Sequence, residues 1–402
     1  MASNLLPPSV SSKTIQVNDL NIHYLQATPP FNPHAPLVLL LHGFPELAYS
    51  WRKIMGPLSK AGYNVVAPDQ RGYGQTTMLN SAGPIEFNED LAPFRMFNLV
   101  TDIVMLVSAL GFQSVAAVVG HDFGSTVAGF AGLIRPDVFQ SVVMMSAPFP
   151  GAPPFSNQGD NVPSLIGSSA STITKRLAEL SPPRKHYTMY FSSPSANDDM
   201  LHSPQGLQAF LRDYFYSKSA NWSGNSTPNP PHRLPSASPA NVAILPPYYI
   251  MLLDHTMPMA VQNAANEGSR PLEEWLSEED LGFYVSEFSR TGFQGGLNWY
   301  RCMTEAKWAL NDMRIFTGKR ITVPAMFLSG ALDWGVYQSP GALEGLIERV
   351  CESMDEEDVV LVPNAGHWIQ QERAEVVVEQ LKRFLRKVFK AVYRFYQKTY
   401  PI

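Results

Sequence analysis

The sequence predicts an α/β fold: a mostly parallel sheet with helices on both faces and an inserted helical cap. The first observation is a rhythm of short apolar runs separated by helical patterns, at 37–41, 63–67, 115–119 and 141–145. The second is the return of this rhythm at 323–330 and 358–366, before a closing helical pattern. The third is the long segment between them, which is crowded with prolines and helical patterns. Strands that alternate with helices pair mostly in parallel, and their sheet is covered on both faces.

The first two runs, TIQV and NIHYL, alternate apolar and polar residues, which is typical of a half-exposed antiparallel edge. The sheet domain is then predicted to comprise residues 1–146 and 314–402, and the cap residues 147–313. Within the cap, 221–241 is rich in Asn, Ser and Pro and is predicted to be a surface loop. Helical patterns lie on either side of this loop.

The chain ends in an amphipathic helical pattern that begins at Leu381. Its apolar residues recur at helical spacing, and lysines and arginines occupy the opposite face. This pattern favours a terminal helix that packs on its own body or on a second subunit, so a homodimer is one expectation. The alternative is a basic helix that lies on a membrane surface.

Composition narrows the classes of function. Apolar residues make up 45% of the 402 residues, charged residues only 16%, and the net charge is −5. Such a chain can bury a large interior, and its charge argues against nucleic acid as a partner. Two cysteines, Cys302 and Cys351, cannot form a disulfide framework, and nothing suggests a zinc cluster. No signal peptide or apolar run of about 18 residues is visible. We therefore expect a cytoplasmic protein that uses no metal or cofactor.

The chemistry is first indicated at 115–129, VAAVVGHDFGSTVAG. An apolar run ends in Gly-x-Asp-x-Gly and a helical pattern follows, which is the layout of a nucleophile elbow with Asp122 in place of serine. A serine that displaced a group from saturated carbon would leave an ether, which water does not readily cleave. A carboxylate leaves a hydrolysable ester, and it is ionised at pH 7 because its reference pKa is about 3.9. Asp122 therefore indicates attack at sp3 carbon. The alternative is a hydrolase that has lost its serine.

Two further residues follow Asp122 in the chain order of nucleophile, acid and histidine. Asp333 comes directly after the predicted strand in LSGALDWG, and His367 follows the last strand in VPNAGHWIQQE. Loops at strand ends are where such a sheet carries catalytic residues. We expect His367 to take a proton from the water that attacks the ester, and Asp333 to orient the imidazole and stabilise its cation.

The stretch LLLHGFPE at 39–46 supplies a tight turn directly after a strand. We expect this turn to offer the backbone N–H of Phe44, paired with that of Phe123 on the elbow. Two such donors would form the oxyanion hole for the tetrahedral intermediate of ester hydrolysis. The alternative is a purely structural His-Gly turn. The stretch APDQRGYG at 67–74 is also predicted to be structural.

Taken together, HGFPE, PDQRGYG, GHDFGS and NAGHWIQQE resemble the α/β-hydrolase superfamily and, within it, the epoxide hydrolases. The resemblance covers about 35–150 and 320–385 well and the cap only in islands. Two islands, KHYTMYFSSP and GGLNWYR, resemble the cap segments that each carry a catalytic tyrosine in that family, which implies Tyr187 and Tyr300. Opening an epoxide creates a basic alkoxide, and two phenols can hydrogen-bond and protonate that oxygen. The resemblance therefore implies an epoxide hydrolase that forms a vicinal diol.

One departure from the family pattern separates rival functions. The family often has tryptophan after the nucleophile, whereas this chain has Phe123. Haloalkane dehalogenases use the indole N–H at that place to hold halide, so Phe123 disfavours this rival and leaves the backbone oxyanion donor intact. A ligand receptor on the same fold would need no water-activating pair, so the intact Asp333 and His367 argue against it.

The predicted reactants are a small-molecule epoxide and water. Trp299 and Trp334, each next to a predicted catalytic residue, are candidate substrate-binding residues. The cap is rich in aromatics and methionines, a composition suited to bulky apolar ligands; the methionines include Met251, Met257 and Met259. Detoxification and a biosynthetic role are both open alternatives, and in the second an internal hydroxyl can replace water and close a ring.

Overall fold

A computed structural model describes residues 5–79, 83–155, 168–265, 275–305, 307–308 and 311–399, and of 168–172 and 391–399 only the backbone. The strands are β1 (Ser11–Val17), β2 (Leu20–Ala27), β3 (Leu37–Leu41), β4 (Asn64–Pro68), β5 (Thr77–Met78), β6 (Ala117–His121), β7 (Val142–Met145), β8 (Arg184–His186), β9 (Ile250–Leu252), β10 (Ala325–Gly330) and β11 (Val359–Val362).

The main sheet has the order β1-β2-β4-β3-β6-β7-β10-β11, and the short β5 pairs with β2. β2 pairs in antiparallel register with β1 and with β4, whereas every pair from β4 to β11 is parallel. This confirms the predicted parallel sheet and its antiparallel edge. The strand β6 lies in the interior of the sheet, between β3 and β7.

The helices alternate with the strands of the sheet and dominate the segment between β7 and β10. They are α1 (Arg52–Lys60), α2 (Met96–Ala109), α3 (Phe123–Ile134), α4 (Ser168–Ala178), α5 (Tyr187–Phe191), α6 (Ala196–Leu201), α7 (Leu207–Lys218), α8 (Pro239–Val242), α9 (Met257–Ala265), α10 (Glu278–Thr291), α11 (Gln294–Thr304), α12 (Ala342–Gly345), α13 (Ile369–Glu372) and α14 (Ala374–Thr399). Shorter 3-10 turns occur at Ala48–Trp51, Ala92–Phe94, Ser223–Asn225, Asn311–Phe316, Trp334–Val336 and Glu356–Asp358, and a π-helical turn at Leu346–Val350.

Both faces of the sheet are buried, because successive side chains of a strand point to opposite faces. In β3, Leu37, Leu39 and Leu41 belong to one buried cluster, whereas Val38 and Leu40 belong to another. The first cluster is completed by α2, α3 and most of the cap, and the second by α1 and α14. The sheet is therefore the middle layer of the fold, as the sequence predicts.

The predicted cap segment contains α4 to α11 and a small antiparallel hairpin of β8 and β9. The prediction that 221–241 is a surface loop is wrong for part of it, since Trp222, Asn225 and Leu234 are buried. The amide of Asn225 donates to the backbone carbonyls of Ser217 and Ser219 at 3.0 and 2.8 Å. This satisfied polar side chain holds the loop against the end of α7. The cap boundaries at 147 and 313 stay a prediction.

The terminal helix α14 begins at Ala374, earlier than predicted. Its residues Val377, Leu381 and Phe384 are buried in the same cluster as Trp51 and the apolar residues of α1. This confirms that the helix packs on its own body, as far as its side chains are described; the predicted apolar positions 392, 395 and 396 lie outside them. Within the described part of the chain, no helix is long and apolar enough to cross a membrane.

Two phenylalanines of α14 test this packing. Phe384 is 1% exposed, so Phe384→Ala should lower the free energy of unfolding by about 3–5 kcal/mol through lost burial and the cavity left behind. Phe389 on the same helix is 67% exposed, and Phe389→Ala should change the free energy of unfolding by less than about 0.5 kcal/mol. Urea unfolding followed by circular dichroism measures both. Equal losses in the two variants would contradict the packing of α14 on α1.

Candidate active site

Asp122 lies at the tip of a sharp turn between β6 and α3. Its backbone has φ 53° and ψ −119°, in a region that is strained for a residue with a side chain. The glycines of the motif permit the turn, since a Cβ on Gly120 would collide with the carbonyl of Gly124, and one on Gly124 with the carbonyl of Leu41. The N–H of Asp122 donates to the carbonyl of Met145 at 3.2 Å. The turn is therefore fixed to the neighbouring strand, and Asp122 projects from the end of β6.

The turn after β3 places a backbone donor on this carboxylate. The N–H of Phe44 donates to Oδ1 of Asp122 at 3.0 Å. Gly43 permits the approach, because a Cβ there would collide with the side chain of Asp122. His42 supports the turn through Nδ1, which donates to the carbonyl of Gly43 at 2.9 Å, while its Nε2 accepts the N–H of Gln70 at 3.1 Å. The contact from Phe44 is the geometry expected of an oxyanion-hole donor, and Phe123 begins α3 directly after Asp122.

His367 lies between two carboxylates. Its Nδ1 is 3.0 Å from Oδ2 of Asp333, and its Nε2 is 3.4 Å from Oδ2 of Asp122. Asp333 follows β10, and its other oxygen accepts the N–H of Gly335 at 2.7 Å. The side chains of His367 and Asp333 are buried. The structure thus brings together the three residues that the sequence arranges as nucleophile, acid and base.

The mutual charges of these residues set their protonation. Burial raises the pKa of Asp122 and of Asp333, but the hydrogen bonds and charge of His367 outweigh it and hold both pKa values below their ordinary range. Burial and the charge of Lys218 lower the pKa of His367, whereas the two carboxylates raise it by more. Its net pKa is therefore above the usual value. Asp122 is therefore ionised at neutral pH, as a nucleophile must be.

Tyr187 and Tyr300 lie side by side next to the elbow. Their ring centroids are 5.9 Å apart, and the ring of Tyr300 lies 5.1 Å from that of Phe123 and 5.6 Å from that of Phe44. The hydroxyl of Tyr187 donates to Oε1 of Gln338 at 3.3 Å. Burial, reinforced by the negative charge of Asp122, raises the pKa of both phenols well above their usual value. Both tyrosines therefore keep their protons at neutral pH.

The two candidate substrate-binding tryptophans have different surroundings. The indole N–H of Trp299 donates to the carbonyl of Arg71 at 3.0 Å, and its ring packs edge-on against Phe123 at 5.1 Å. Trp299 thus uses its polar atom to join α11 to the sheet domain. Trp334 is buried with its ring 5.2 Å from that of His232, and no described residue accepts its N–H. Of these two tryptophans, Trp334 is therefore the one whose N–H has no described acceptor.

A buried ion pair behind the triad was missed by the sequence analysis. Nδ1 of His121 is 2.6 Å from Oε2 of Glu46, and its Nε2 is 2.7 Å from the carbonyl oxygen of His367. The ring of His121 thus joins Glu46 to the backbone of the loop that carries His367. Gln370 donates to the other oxygen of Glu46 at 2.6 Å. Glu46 lies in the motif HGFPE and His121 in GHDFGS, each close in sequence to a predicted site residue. This position was the signal in the sequence that could have identified them.

A lysine of the cap was also missed. Lys218 is the last residue of α7, and its Nζ lies 3.5 Å from Nε2 of His367. It is buried among aromatic side chains. The only trace in the sequence is a single lysine that ends the aromatic stretch DYFYSK.

Comparison with known proteins assigns this geometry to a family. Residues 36–166 match the family model described as the alpha/beta hydrolase fold. The chain is 31% identical to Epoxide hydrolase A of Mycobacterium tuberculosis over 377 residues, which cover 94% of this chain and 98% of that protein. The chain belongs to the epoxide hydrolases. The predicted fold, family and enzyme class are thereby confirmed.

Other epoxide hydrolases give the same result. Epoxide hydrolase 2 of Siraitia grosvenorii is 29% identical, with 94% of this chain and 99% of that protein covered. Among solved structures, an epoxide hydrolase from an endophytic Streptomyces has a TM-score of 0.70 at 27% identity, covering 96% of this chain and 97% of the other. Potato (Solanum tuberosum) epoxide hydrolase I has a TM-score of 0.69 at 28% identity, covering 94% and 99%. The likeness therefore extends over the cap as well as the sheet.

The close approach of Gly124 to β3 gives a direct test of the elbow. Gly124→Ala should lower the free energy of unfolding by about 2–3 kcal/mol, because the added methyl meets backbone that cannot yield easily. It should also abolish activity by displacing Asp122. Thermal unfolding and diol formation measure the two effects. Gly282→Ala is the matched control, since Gly282 lies in α10 and no atom lies near its Cβ position. This substitution should raise the free energy of unfolding by up to about 1 kcal/mol, because alanine has the higher helix propensity. Normal activity in Gly124→Ala would contradict the packing described for the elbow.

Proposed function

We propose that this chain converts an epoxide to a vicinal diol in two half-reactions, through a covalent ester on Asp122. One observation carries the proposal: the two oxygens of this carboxylate have different surroundings. Oδ1 accepts the N–H of Phe44, while Oδ2 lies 3.4 Å from Nε2 of His367 and on the side of the water-activating base. An ionised carboxylate with one stabilised oxygen and a base beside the other suits ester formation followed by hydrolysis.

In the first half-reaction, Oδ2 of Asp122 attacks one epoxide carbon from the side opposite the C–O bond. That bond breaks, and its electron pair passes to the ring oxygen. Tyr187 and Tyr300 hydrogen-bond the oxygen, and one of them supplies the proton that converts the alkoxide to a hydroxyl. The phenols suit this role because they are protonated at neutral pH and their rings lie next to the elbow.

In the second half-reaction, a water molecule attacks the carbonyl carbon of the ester. His367 takes one proton from the water through Nε2, and Asp333 stabilises the resulting imidazolium. The negative charge develops on Oδ1, where the N–H of Phe44 already points; the N–H of Phe123 is the second proposed donor. Collapse of the tetrahedral intermediate breaks the bond to the diol oxygen. The imidazolium of His367 returns its proton to that oxygen, and the proton left on the new carboxyl group of Asp122 passes to the tyrosinate, so the enzyme is restored.

The substrate proposed for this site is bulky and apolar. The surroundings of Asp122 are aromatic, with Phe44, Phe191 and Tyr300 in mutual ring contact at 5.0–5.6 Å. Of the cap methionines, Met251 and Met257 are buried, whereas Met259 is 40% exposed. The N–H of Trp334 would bind a single polar group on such a substrate. Roles in detoxification and in biosynthesis, a homodimer, membrane contact through α14 and a cytoplasmic location stay predictions.

Trapping the ester tests the proposed function. His367→Gln removes the base but leaves the nucleophile and the tyrosines, so incubation with a bulky apolar epoxide such as stilbene oxide should leave the substrate attached to Asp122. Intact-protein mass spectrometry should show an increase equal to the substrate mass, because ester formation is an addition. Peptide mapping should place this increase on the peptide that contains Asp122.

The control for trapping is the double variant Asp122→Asn with His367→Gln, which should gain no mass. Turnover of His367→Gln at the wild-type rate would remove His367 from the mechanism. A mass increase that persists in the double variant would remove Asp122. Release of chloride from haloalkanes by the wild type, with epoxides left intact, would favour the dehalogenase alternative.

The phenols are tested in the first half-reaction. The double variant Tyr187→Phe with Tyr300→Phe should slow ester formation by about 10²–10⁴-fold, because the departing oxygen loses its acid catalysts. Stopped-flow tryptophan fluorescence under single-turnover conditions measures this step. Tyr190→Phe, in the same helix as Tyr187, is the matched control, since its hydroxyl donates to Asp199 at 3.0 Å. Ester formation at the wild-type rate in the double variant would show that the phenols do not act as acids.

A further inference from the structure

Lys218 is buried in an aromatic box. Its Nζ lies 5.1–5.9 Å from the ring centroids of Tyr214, Tyr248, Tyr249 and Trp368, and the residue is 3% exposed. Aromatic faces attract an ammonium ion at these distances. Burying a charged lysine is costly without compensation, so a lysine held in this way has a purpose beyond filling space.

The ammonium faces the base of the active site. Its Nζ is 3.5 Å from Nε2 of His367, the nitrogen that must accept a proton from water. Burial lowers the pKa of Lys218 below its usual value, whereas the carboxylates of Asp122, Asp333 and Glu46 raise it and favour the ammonium. His367 in turn is faced by Lys218, Asp333 and Asp122, and the ring of His121 lies 4.9 Å from its own ring. Lys218 is thus a positive charge from the cap beside an imidazole that two carboxylates tend to protonate.

The backbone fixes Lys218 against the loop that carries His367. The N–H of His367 donates to the carbonyl of Lys218 at 2.9 Å. Oε2 of Glu372 accepts the N–H of Ala220 at 2.9 Å and that of Gly366 at 3.0 Å. These bonds join the end of α7 to the histidine loop on both sides of the contact. The spacing between Nζ and Nε2 is therefore built into the fold.

We propose that Lys218 is a positioning residue for the second half-reaction, because its ammonium favours the neutral imidazole of His367 once Asp122 is esterified. This inference rests on the covalent mechanism proposed above. In the resting enzyme, two carboxylates favour the imidazolium. Esterification removes the charge of Asp122, while the ammonium stays in its aromatic box. The balance then shifts toward the neutral base at the step that needs it.

The sign of the effect follows from these charges. Burial and Lys218 lower the pKa of His367, and Asp333 raises it. Ester hydrolysis requires neutral His367, so its rate falls as the pH drops through the pKa of this imidazole. Removing the positive charge of Lys218 raises that pKa. The acid limb of ester hydrolysis should then move to higher pH.

The experiment measures the rate of ester decay after pH jumps to a series of final values between about pH 5 and about pH 9, the range in which histidine titrates. In Lys218→Met the acid limb should move up by about one unit, which makes hydrolysis about tenfold slower on the acid side relative to the plateau of the same variant. Each rate of ester decay is divided by the plateau rate of the same variant, so a loss of folded protein does not affect the comparison. Lys218→Arg keeps the positive charge and should restore the wild-type limb.

The matched control is Lys307→Met, since the ammonium of Lys307 also lies over an aromatic ring, that of Trp308, but at the surface. Its acid limb should coincide with that of the wild type. An acid limb in Lys218→Met that is unmoved or shifted to lower pH overturns the proposal. Failure of the covalent mechanism itself looks different, because no ester then forms in His367→Gln even with Lys218 intact.

Discussion

The strained backbone at Asp122 is the constraint on which the active site depends. Hydrogen bonds to the sheet and to the helix together maintain its positive φ. Its N–H donates to the carbonyl of Met145 in β7, and its carbonyl accepts the N–H of Ser125 in α3 at 3.0 Å. Because β6 is an interior strand, the carboxylate emerges among the ends of several parallel strands, where their loops converge. Phe44, Asp333 and His367 each arrive from a different one of these loops. The roles proposed for them follow from this convergence, since a backbone donor and the imidazole of His367 both contact the carboxylate of Asp122, and Asp333 contacts that imidazole.

Convergence also concentrates charge in a dry environment. Three carboxylates, those of Asp122, Asp333 and Glu46, are buried beside three groups that carry or accept positive charge, namely His367, His121 and Lys218. Each anion has a hydrogen-bonding partner, which is the condition under which buried charges are tolerated. In such a buried cluster, removing one charge shifts the pKa values of the neighbouring groups strongly. Ester formation on Asp122 is such a removal, and it falls on the group nearest to Nε2 of His367.

The sequence was sufficient for the longer strands of the main sheet and for the residues that stand at their ends, whereas the short strands β5, β8 and β9 were not predicted. Asp122, Asp333 and His367 follow apolar runs directly, so local pattern and chain order were enough to select them. Lys218 and the pair of Glu46 and His121 could not be assigned roles in this way, because their roles arise from contacts between distant parts of the chain. The same limit explains 221–241, where polar composition suggested exposure although Asn225 finds backbone partners in the interior. Trp299 is a further example of this limit, since only the fold reveals that its N–H donates a hydrogen bond to the carbonyl of Arg71.

In the proposed mechanism the cap contributes to both half-reactions, and this couples substrate enclosure to chemistry. Tyr187 and Tyr300 lie on α5 and α11, while Lys218 ends α7, and all three residues are buried against the site. The backbone bond from His367 to Lys218 makes the histidine loop itself a neighbour of the cap. A displacement of α7 away from the sheet would therefore withdraw the ammonium and loosen the loop of the base together. Under the proposed mechanism, the base keeps this environment only while the cap packs on the sheet domain, which favours water activation on an enclosed ester over reaction at an open site.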